Sequence, residues 1–383
     1  MAKRVLMVAT VPSMIGQFNM NNIRILQEMG YEVDVAADFT DVSVWPAERV
    51  QRFKDQLDQM RIEAIQLNFS RSPLKLGRHM ESYRETVKLI EDRKYEFIHT
   101  HTPIASAIVR QAAHKTGTKV IYTAHGFHFY TGAPIQNWLI FYPIEKYFSR
   151  YTDVLITINK EDYKRASEHF HAGRTVYIPG VGVDTEKFKP RESGRDKARK
   201  ELGLDEGRIL LLSVGELNEN KNHNSVIKAL ADIENITYVI VGKGEKKNEL
   251  EQLATENNVD LRLPGFRNDV ADFYDAADFY ILPSIREGLN VSLMEAMASG
   301  LPCLCGRIRG NVDLVDEQGG FLFDPGDVDS IREAAEKAVR MTTEEQKKQG
   351  RYNLEKIRGF NLQIVENLSS EIYRGGMSTS LKS

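Results

Sequence analysis

The sequence has few cysteines, no large excess of charge of either sign and no long apolar run. Its two cysteines, Cys303 and Cys305, cannot form a metal site unaided, and their alternation in an apolar segment fits one face of a buried strand. The net charge of -3 gives no reason to expect a nucleic-acid partner. No segment approaches the roughly 18 consecutive apolar residues of a membrane-spanning helix, and the chain enters a strand at once instead of a signal peptide. We therefore expect a cytoplasmic globular protein.

Of two short motifs found in nucleotide enzymes, G-x-G-x-x-G is absent after the first strand, and Asp-x-Asp occurs where it indicates a helix cap. The chain opens with a strand at 4–10, a loop at 12–17, a helix at 19–29 and a strand at 32–37, but G-x-G-x-x-G does not follow the first strand. This disfavours a nicotinamide enzyme. The one Asp-x-Asp, at 327–329, directly precedes a helix-forming run and indicates a helix cap rather than metal ligands. No metal and no other cofactor are expected.

The most informative stretch present is residues 283–302, P-S-I-R-E-G-L-N-V-S-L-M-E-A-M-A-S-G-L-P. An apolar strand is predicted just before it at 279–282, and a helix is predicted from Leu289 until Gly300 and Pro302 end it. Doubly wound sheets bind ligands at the carboxyl ends of their strands. A helix N-terminus there offers backbone N–H groups to phosphate. The stretch therefore predicts a binding site for a phosphorylated ligand.

Two carboxylates in this stretch have a useful spacing. Glu287 lies in the turn, and Glu295 follows eight positions later, about two helical turns on. Carboxylates so placed can hold two ends of one polyhydroxylated ligand. The alternative interpretation is a helix whose acidic residues are only solvated.

This E-x7-E segment, with P-S-x-x-E-G before it and E-A-M-A-x-G-x-P after it, resembles the donor site of the retaining glycosyltransferases of family 4. The resemblance implies an α/β protein of the GT-B fold, with two doubly wound, Rossmann-like parallel-sheet domains facing a cleft. The implied division is an acceptor-binding domain at 1–183, a nucleotide-sugar-binding domain at 184–359 and a helix at 360–374 that returns to the first domain. Residues 375–383 are predicted to be disordered.

The resemblance also implies the donor-site residues. In the family pattern G-R-L-x-x-x-K-N, which binds the donor diphosphate, this chain keeps Gly215, Leu217, Lys221 and Asn222 but has Glu216 in place of the arginine. Lys221 should then carry more of the charge. Glu287 is expected to hold the sugar hydroxyls and Glu295 the ribose. The remaining implied donor contacts are Gly242, Gly265, Phe266, Gly288, Leu289 and Asn290.

Histidines gather at the ends of two predicted strands in the first half of the chain. His99 and His101 would share one face of a strand, and His125 and His128 follow the next strand. A metal site is disfavoured because neither segment contains an acidic residue or a cysteine. The resemblance implies that His125, in T-A-H-G, points at the donor sugar and that His101 lines the same cleft. It also assigns Gly16 to a loop that faces the acceptor.

Two segments suggest contact with a membrane or a charged lipid. Residues 71–79 carry Arg71, Lys75 and Arg78 without an acidic residue, which fits an anionic membrane surface, an acceptor diphosphate or merely a solvated loop before a helix at 83–93. The aromatic helix predicted at 136–148 fits a membrane interface, although such helices more often belong to the core.

The resemblance therefore predicts a retaining, metal-independent glycosyltransferase of polysaccharide biosynthesis, such as that of exopolysaccharide or capsule. It would move a hexosyl or N-acetylhexosaminyl group from a nucleotide sugar, expected to be a UDP-sugar, to a saccharide or a polyprenyl-diphosphate-linked acceptor. Peripheral contact with the inner face of the plasma membrane is expected. The alternatives are a UDP-sugar 2-epimerase of the same fold and a non-catalytic GT-B partner subunit.

Overall fold

The computed structural model describes residues 3–72, 74–205 and 207–375. The chain divides into two compact units. The first contains the residues up to Val181 and those from Val365 onward, and the second is Gly182–Ile364. The predicted tail lies outside the described residues, except that Gly375 ends the last helix.

The first unit is built on a parallel seven-stranded sheet in the order β3-β2-β1-β4-β5-β6-β7. Its strands are short apolar runs, as expected for strands covered on both faces. Alternate residues of β1 enter two separate cores, with Val5 and Met7 on one side and Leu6 and Val8 on the other. The strands are β1 Arg4–Val8, β2 Glu32–Ala37, β3 Glu63–Gln66, β4 Phe97–His101, β5 Lys119–Ala124, β6 Val154–Thr157 and β7 Arg174–Tyr177.

Helices cover both faces of this sheet. The last helix of the chain begins in the second unit, and from Val365 it packs into the core of the first through Val365, Ile372 and Tyr373. The helices are α1 Pro12–Phe18, α2 Met20–Glu28, α3 Ala47–Gln59, α4 Leu76–Arg93, α5 Pro103–Thr116, α6 Ile135–Ser149, α7 Lys160–His169 and, at the end of the chain, α16 Leu362–Gly375.

The second unit repeats this plan with a parallel six-stranded sheet in the order β10-β9-β8-β11-β12-β13. The strands are β8 Ile209–Val214, β9 Ile236–Val241, β10 Asp260–Gly265, β11 Phe279–Leu282, β12 Cys303–Gly306 and β13 Gly320–Phe323. The helices are α8 Glu192–Leu202, α9 His223–Leu230, α10 Lys247–Glu256, α11 Val270–Ala276, α12 Val291–Ala298, α13 Asn311–Leu314, α14 Val328–Val339 and α15 Thr343–Ile357, with short 3-10 turns at Glu219–Lys221 and Arg358–Phe360.

Each sheet reverses its strand order once. The chain moves outward from β1 through β2 to β3 and then returns to β4 beside β1, and in the second unit it returns to β11 beside β8. Such reversal points open a crevice at the carboxyl ends of the central strands. Candidate ligand groups are therefore expected after β1 and β4, and after β8 and β11.

Two local expectations were wrong. Residues 12–17 form helix α1 instead of a loop, because Pro12 stands at the first helical turn, where its missing N–H and fixed φ cost nothing. Helix α4 begins at Leu76, seven residues before the predicted start, so part of the basic segment is helical. Helix α6 packs on the core through Trp138, Phe141 and Tyr142, while its outer face, with Ile135 and Leu139, is exposed.

The two cysteines lie as predicted, buried and unpaired on β12. Burial raises the pKa of the Cys305 thiol well above its usual value, and that of Cys303 likewise, so both are inert packing groups. Among the described residues, no helix is both long and apolar enough to span a bilayer.

Candidate functional site

An ion pair lies at the strand-order reversal of the second unit. Lys221 ends the 3-10 turn after β8, and its backbone N–H donates to the side chain of Asn218, 3.1 Å away. Its Nζ lies 2.7 Å from Oε1 of Glu287, which follows β11. The two side chains are only 16% and 14% exposed. A cation and a carboxylate predicted from separate motifs therefore meet at the carboxyl end of the sheet.

Asn222 clamps the loops around this pair. It adopts a left-handed conformation with φ 55°, and its Nδ2 donates to the carbonyl oxygens of Pro283 at 3.2 Å and Pro325 at 2.8 Å. Its Oδ1 accepts from the Ser225 hydroxyl at 2.7 Å. The amide thus ties the loop after β8 to the loops after β11 and β13. These contacts explain why an asparagine is needed at this position. Its direct contact with a nucleotide-sugar donor stays a prediction.

A close backbone approach explains one of the predicted glycines, because a Cβ on Gly242 would lie 1.7 Å from the carbonyl oxygen of Gly215. A Cβ on Gly215 would meet only the flexible side chain of Lys221, 3.3 Å from its Cε. Gly265 ends β10, and its carbonyl accepts from Gly242 N–H at 3.0 Å. Phe266 next to it is 61% exposed, which leaves its ring face accessible to a ligand.

Helix α12 begins directly after Glu287, Gly288 and Leu289. Asn290 caps it, with Oδ1 accepting from Leu293 N–H at 3.0 Å and from the Ser292 hydroxyl at 2.7 Å. The Asn290 side chain is therefore engaged in the cap, and the helix N-terminus beside the ion pair contributes a partial positive charge.

Glu295 lies on α12 itself, about one turn after its start, and has a tyrosine partner. The Tyr274 hydroxyl donates to Glu295 Oε2 at 2.8 Å and also contacts the Ser292 carbonyl oxygen at 3.1 Å. Burial raises the pKa of the Glu295 carboxyl above its usual value, against the opposing effects of the Tyr274 hydroxyl and the Lys187 ammonium. Tyr274 was not identified from the sequence, because only folding brings α11 against α12.

Glu216 does not join the ion pair. Its exposed carboxylate accepts from Asn218 Nδ2 at 2.8 Å and so supports the loop that carries Lys221. Lys246, at the start of α10, forms ion pairs with Glu219 and Glu249.

Arg309, like Tyr274, was not identified from the sequence. It is only 6% exposed, and its Nη2 and Nε donate to the backbone carbonyl oxygen of Glu287 at 3.1 and 3.3 Å. Gly310 supports the same turn at φ 81°, because a Cβ there would lie 2.0 Å from the Gly288 carbonyl oxygen. The segment Arg-Gly-Asn after β12 could have indicated a supporting role for Arg309. Arginines are mostly exposed, however, and the sequence does not show which of them are buried.

The predicted histidines of the first unit form a buried cluster. His101 Nδ1 lies 3.1 Å from His125 Nε2, and the ring centroids of His99 and His101 are 4.2 Å apart. Burial lowers the pKa of His125 to about 4 and of His99 to about 3, and it lowers the pKa of His101 well below its usual value. The three rings are therefore neutral at neutral pH. His128 is separate and stacks on Phe141 with centroids 4.5 Å apart.

Gly16 has a packing role. It lies in α1, and a Cβ there would come within 2.4 Å of the Trp45 ring. Packing against Trp45 is enough to explain why residue 16 is a glycine. The acceptor role of Gly16 remains a prediction. Asp327 caps α14 by accepting from Asp329 N–H at 3.0 Å, as its position in the sequence indicated. In the described part of the chain, no three His, Cys, Asp or Glu side chains are arranged to hold a metal ion.

Two neighbouring cavities open in the first unit, and Arg71 lines both. One, of about 610 Å³, is polar and is lined by Arg71, Lys75 and Arg78 together with Asp38 and Asp41. The other, of about 380 Å³, is lined by Thr10, Thr102, His128 and Phe141 among others. The basic segment thus borders a cavity and is not only a solvated loop.

Comparison with known proteins identifies the class. Residues 194–356 match the family described as Glycosyl transferases group 1, and residues 15–180 match the Glycosyl transferase 4-like domain. EpsD of Bacillus subtilis (strain 168), a candidate glycosyltransferase, is 35% identical over 343 residues, which cover 85% of each chain. The UDP-Gal:alpha-D-GlcNAc-diphosphoundecaprenol alpha-1,3-galactosyltransferase of Escherichia coli is 34% identical over 282 residues, which cover 70% of this chain and 72% of that one.

Among solved structures, that of Anabaena Alr3699/HepE in complex with UDP and glucose matches with a TM-score of 0.77 and 18% identity. The match covers 97% of this chain and 100% of that one, and it shows a shared fold. Both domain families and both relatives agree with the two parallel-sheet units described above. The chain therefore belongs to the group 1 glycosyltransferases and has the GT-B fold.

Proposed function

We propose that this glycosyltransferase moves a hexosyl or N-acetylhexosaminyl group from a UDP-sugar to a saccharide linked to a lipid diphosphate, with retention of configuration and without a metal ion. The observation that supports it most directly is the Lys221–Glu287 pair beside the N-terminus of α12. A cation, a carboxylate and a helix N-terminus are the groups that a nucleotide sugar needs at its diphosphate and its sugar ring.

On this proposal the ion pair exchanges partners when the donor binds. Diphosphate oxygens would replace Glu287 at Lys221 Nζ, and the freed Glu287 carboxylate would accept from sugar hydroxyls. Arg309 would hold the Glu287 backbone in place during this exchange, because it donates to the Glu287 carbonyl oxygen. Glu295 would accept from the ribose hydroxyls, with its orientation fixed by Tyr274.

Retention is proposed to follow a same-face path. The bond between the sugar C1 and the diphosphate oxygen breaks as the acceptor oxygen bonds to C1 on the same face, and the acceptor proton passes to the departing diphosphate. Lys221 and the amides at the start of α12 would stabilise the charge that grows on the leaving group. No protein nucleophile is needed, and Asp327, the first residue of the Asp-x-Asp, already caps a helix.

The acceptor class rests on the first unit and on one relative. The Escherichia coli relative acts, by its name, from UDP-Gal on a GlcNAc-diphosphoundecaprenol. In this chain, Arg71, Lys75 and Arg78 around the larger cavity suit a diphosphate. Leu74 and Leu76 beside them are 87% and 74% exposed, which suits contact with the lipid surface that carries such an acceptor. We therefore propose peripheral attachment at the inner face of the plasma membrane.

The test is an acceptor-dependence assay. The protein is incubated with UDP-galactose and, separately, with other UDP-sugars, in the presence and absence of N-acetylglucosaminyl diphosphate carrying a short prenyl chain. UDP release and a new disaccharide only when the acceptor is present support the proposal. Conversion of the UDP-sugar to its 2-epimer without acceptor would identify an isomerase, and binding with neither reaction would identify a non-catalytic subunit.

A further inference from the structure

The histidine cluster of the first unit has an order of hydrogen bonds that fixes where its protons lie. His101 is fully buried and its ring is bonded at both nitrogens: Nδ1 lies 3.1 Å from His125 Nε2, and Nε2 lies 3.1 Å from the sulfur of Met7 on β1. His99 stands outside this chain of bonds, because its two nitrogens contact the Tyr373 and Thr123 hydroxyls at 2.9 and 2.8 Å.

A thioether sulfur has no hydrogen to donate, so the His101 nitrogen that faces Met7 must carry the proton. In a neutral imidazole the other nitrogen is then a bare acceptor. His125 must therefore donate through Nε2 to His101 Nδ1. From this order we infer that Met7 and His101 together hold Nδ1 of His125 without a proton, as a hydrogen-bond acceptor that selects a neutral hydroxyl or amide N–H on the ligand.

Burial supports the neutral state on which this order depends. It lowers the pKa of His125 to about 4 and that of His101 further below the usual value, so neither ring is protonated at pH 7. The His125 residue itself is only partly buried, and Phe18 lies beside it with ring centroids 6.2 Å apart. A ligand at this edge thus meets an aromatic ring and one uncharged acceptor.

The ligand class follows from the acceptor. A bare ring nitrogen attracts O–H and N–H donors and repels the oxygens of carboxylate and phosphate groups, whereas a protonated histidine would bind those anions. Resting on the proposed function, the group at His125 is a sugar hydroxyl or acetamido N–H rather than a carboxylate or phosphate oxygen. That sugar belongs either to the nucleotide donor or to the acceptor saccharide.

The decisive experiment reads the tautomers directly. The full-length protein is labelled with ¹⁵N-histidine, and long-range ¹H–¹⁵N spectra are recorded at neutral pH without ligand, with single His→Gln variants to assign the rings. Both His101 and His125 should carry their proton on Nε2, with Nδ1 of each resonating as an unprotonated nitrogen. A proton on Nδ1 of His125, or a charged ring, would overturn the inference.

A second variant tests the role of the sulfur. Met7→Leu keeps the side-chain volume but removes the acceptor, so His101 and His125 should shift from one tautomer to a mixture. Met29→Leu, a partly buried methionine packed against the same core, should leave both spectra unchanged. Unchanged tautomers in Met7→Leu would show that the sulfur does not set them. If Met7→Leu does not fold, the wild-type spectrum still decides the tautomer.

Two probes distinguish the source of the sugar. UDP-galactose and N-acetylglucosamine 1-phosphate are titrated separately, and the probe whose sugar faces His125 should shift its Nδ1 resonance without protonating that nitrogen. Binding of both probes with no change at Nδ1 would overturn the assigned ligand class. Absence of binding by calorimetry would instead contradict the proposed function, because the ligand-free spectrum has already decided the tautomer.

Discussion

A lysine that already holds a carboxylate binds phosphate by exchanging one anion for another. At the scale of single residues, the proposed function makes this exchange at the Lys221–Glu287 pair, whose atoms lie 2.7 Å apart, the central event of donor binding. The carboxylate released from the lysine would become available to the sugar. Binding of the diphosphate and orientation of the sugar would thereby be coupled through one pair of side chains.

Lys221→Ala should lower kcat by roughly 10²–10³ and weaken donor binding less, because the charge on the diphosphate grows as the glycosidic bond breaks. Glu216→Arg in the same background should recover part of the loss by restoring a cation in this loop. Lys228→Ala, an exposed lysine on α9, is the matched control. Steady-state kinetics with the identified donor and acceptor measure the effect, and an unchanged kcat would mean that the phosphate site lies elsewhere.

Glu295→Gln should weaken UDP binding by roughly 1–3 kcal/mol, since it replaces a charged acceptor of ribose hydroxyls by a neutral one. Tyr274→Phe should weaken it less, because the carboxylate remains and only its orienting hydroxyl is lost. Isothermal calorimetry with UDP measures both, and Glu251→Gln on the exposed face of α10 is the control. Wild-type affinity in Glu295→Gln would remove the ribose role.

The sequence was informative about residues whose roles depend on local spacing. Glu287 and Glu295 could be assigned to a turn and the helix after it, because both follow one predicted strand within a single segment. The partners of these residues could not be predicted. Tyr274 and Arg309 reach them from α11 and from the loop after β12, and such contacts depend on how separate elements pack.

At the scale of elements, the loop after β12 supports the loop after β11. Arg309 and Gly310 contact the backbone of Glu287 and Gly288, so the position of the turn that carries Glu287 depends on the loop after a neighbouring strand.

Arg309→Met should destabilise the second unit by about 1–3 kcal/mol, because a buried carbonyl loses its charged donor. It should also lower kcat more than it raises KM for the donor, and Arg309→Lys should restore part of both. Arg307→Met, two residues earlier and exposed, should change neither. Thermal unfolding and steady-state kinetics measure these effects. A loss of stability in Arg309→Met with unchanged kcat would limit Arg309 to a structural role.

Buried strands were predicted well, but the exposed face of helix α6 was not. Strands such as β2 and β11 have the predicted bounds, because buried parallel strands are short apolar runs with clear ends. Helix α6 is apolar on every side, so composition could not show which face is exposed. Its inward face is formed by Trp138, Phe141 and Tyr142, which pack on a core cluster, while its aliphatic residues point outward.

At the scale of the whole molecule, the fold was predictable because the two halves repeat one pattern of strand and helix, and because the E-x7-E segment belongs to a recognisable family. How charge is distributed on the folded surface was less predictable. The N-terminal residues 1–185 contain 23 Lys and Arg against 20 Asp and Glu, a small excess. Three of these basic residues line one cavity beside exposed leucines. Counts of charged residues in the sequence do not reveal this clustering.

The protein should bind weakly to anionic vesicles through this surface, and binding should fall as salt is added. Each basic residue near such a membrane contributes about 1 kcal/mol, so replacing Arg71, Lys75 and Arg78 by alanine should abolish sedimentation with the vesicles. Replacing Lys337, Arg340 and Arg351, exposed basic residues of the second unit, is the control. Equal sedimentation with neutral and anionic vesicles would exclude the surface.

Transfer from a nucleotide sugar by Lys221 and backbone amides, with retention and without a metal, would fix both the anomeric configuration of the product and the response to chelation. Both are measured by following the first product by NMR with an EDTA-treated enzyme and an α-linked UDP-sugar. We expect an α-linked product and a rate unchanged by EDTA. A β-linked product would contradict retention, and turnover that is lost with EDTA and restored by Mg²⁺ or Mn²⁺ would contradict metal-free transfer.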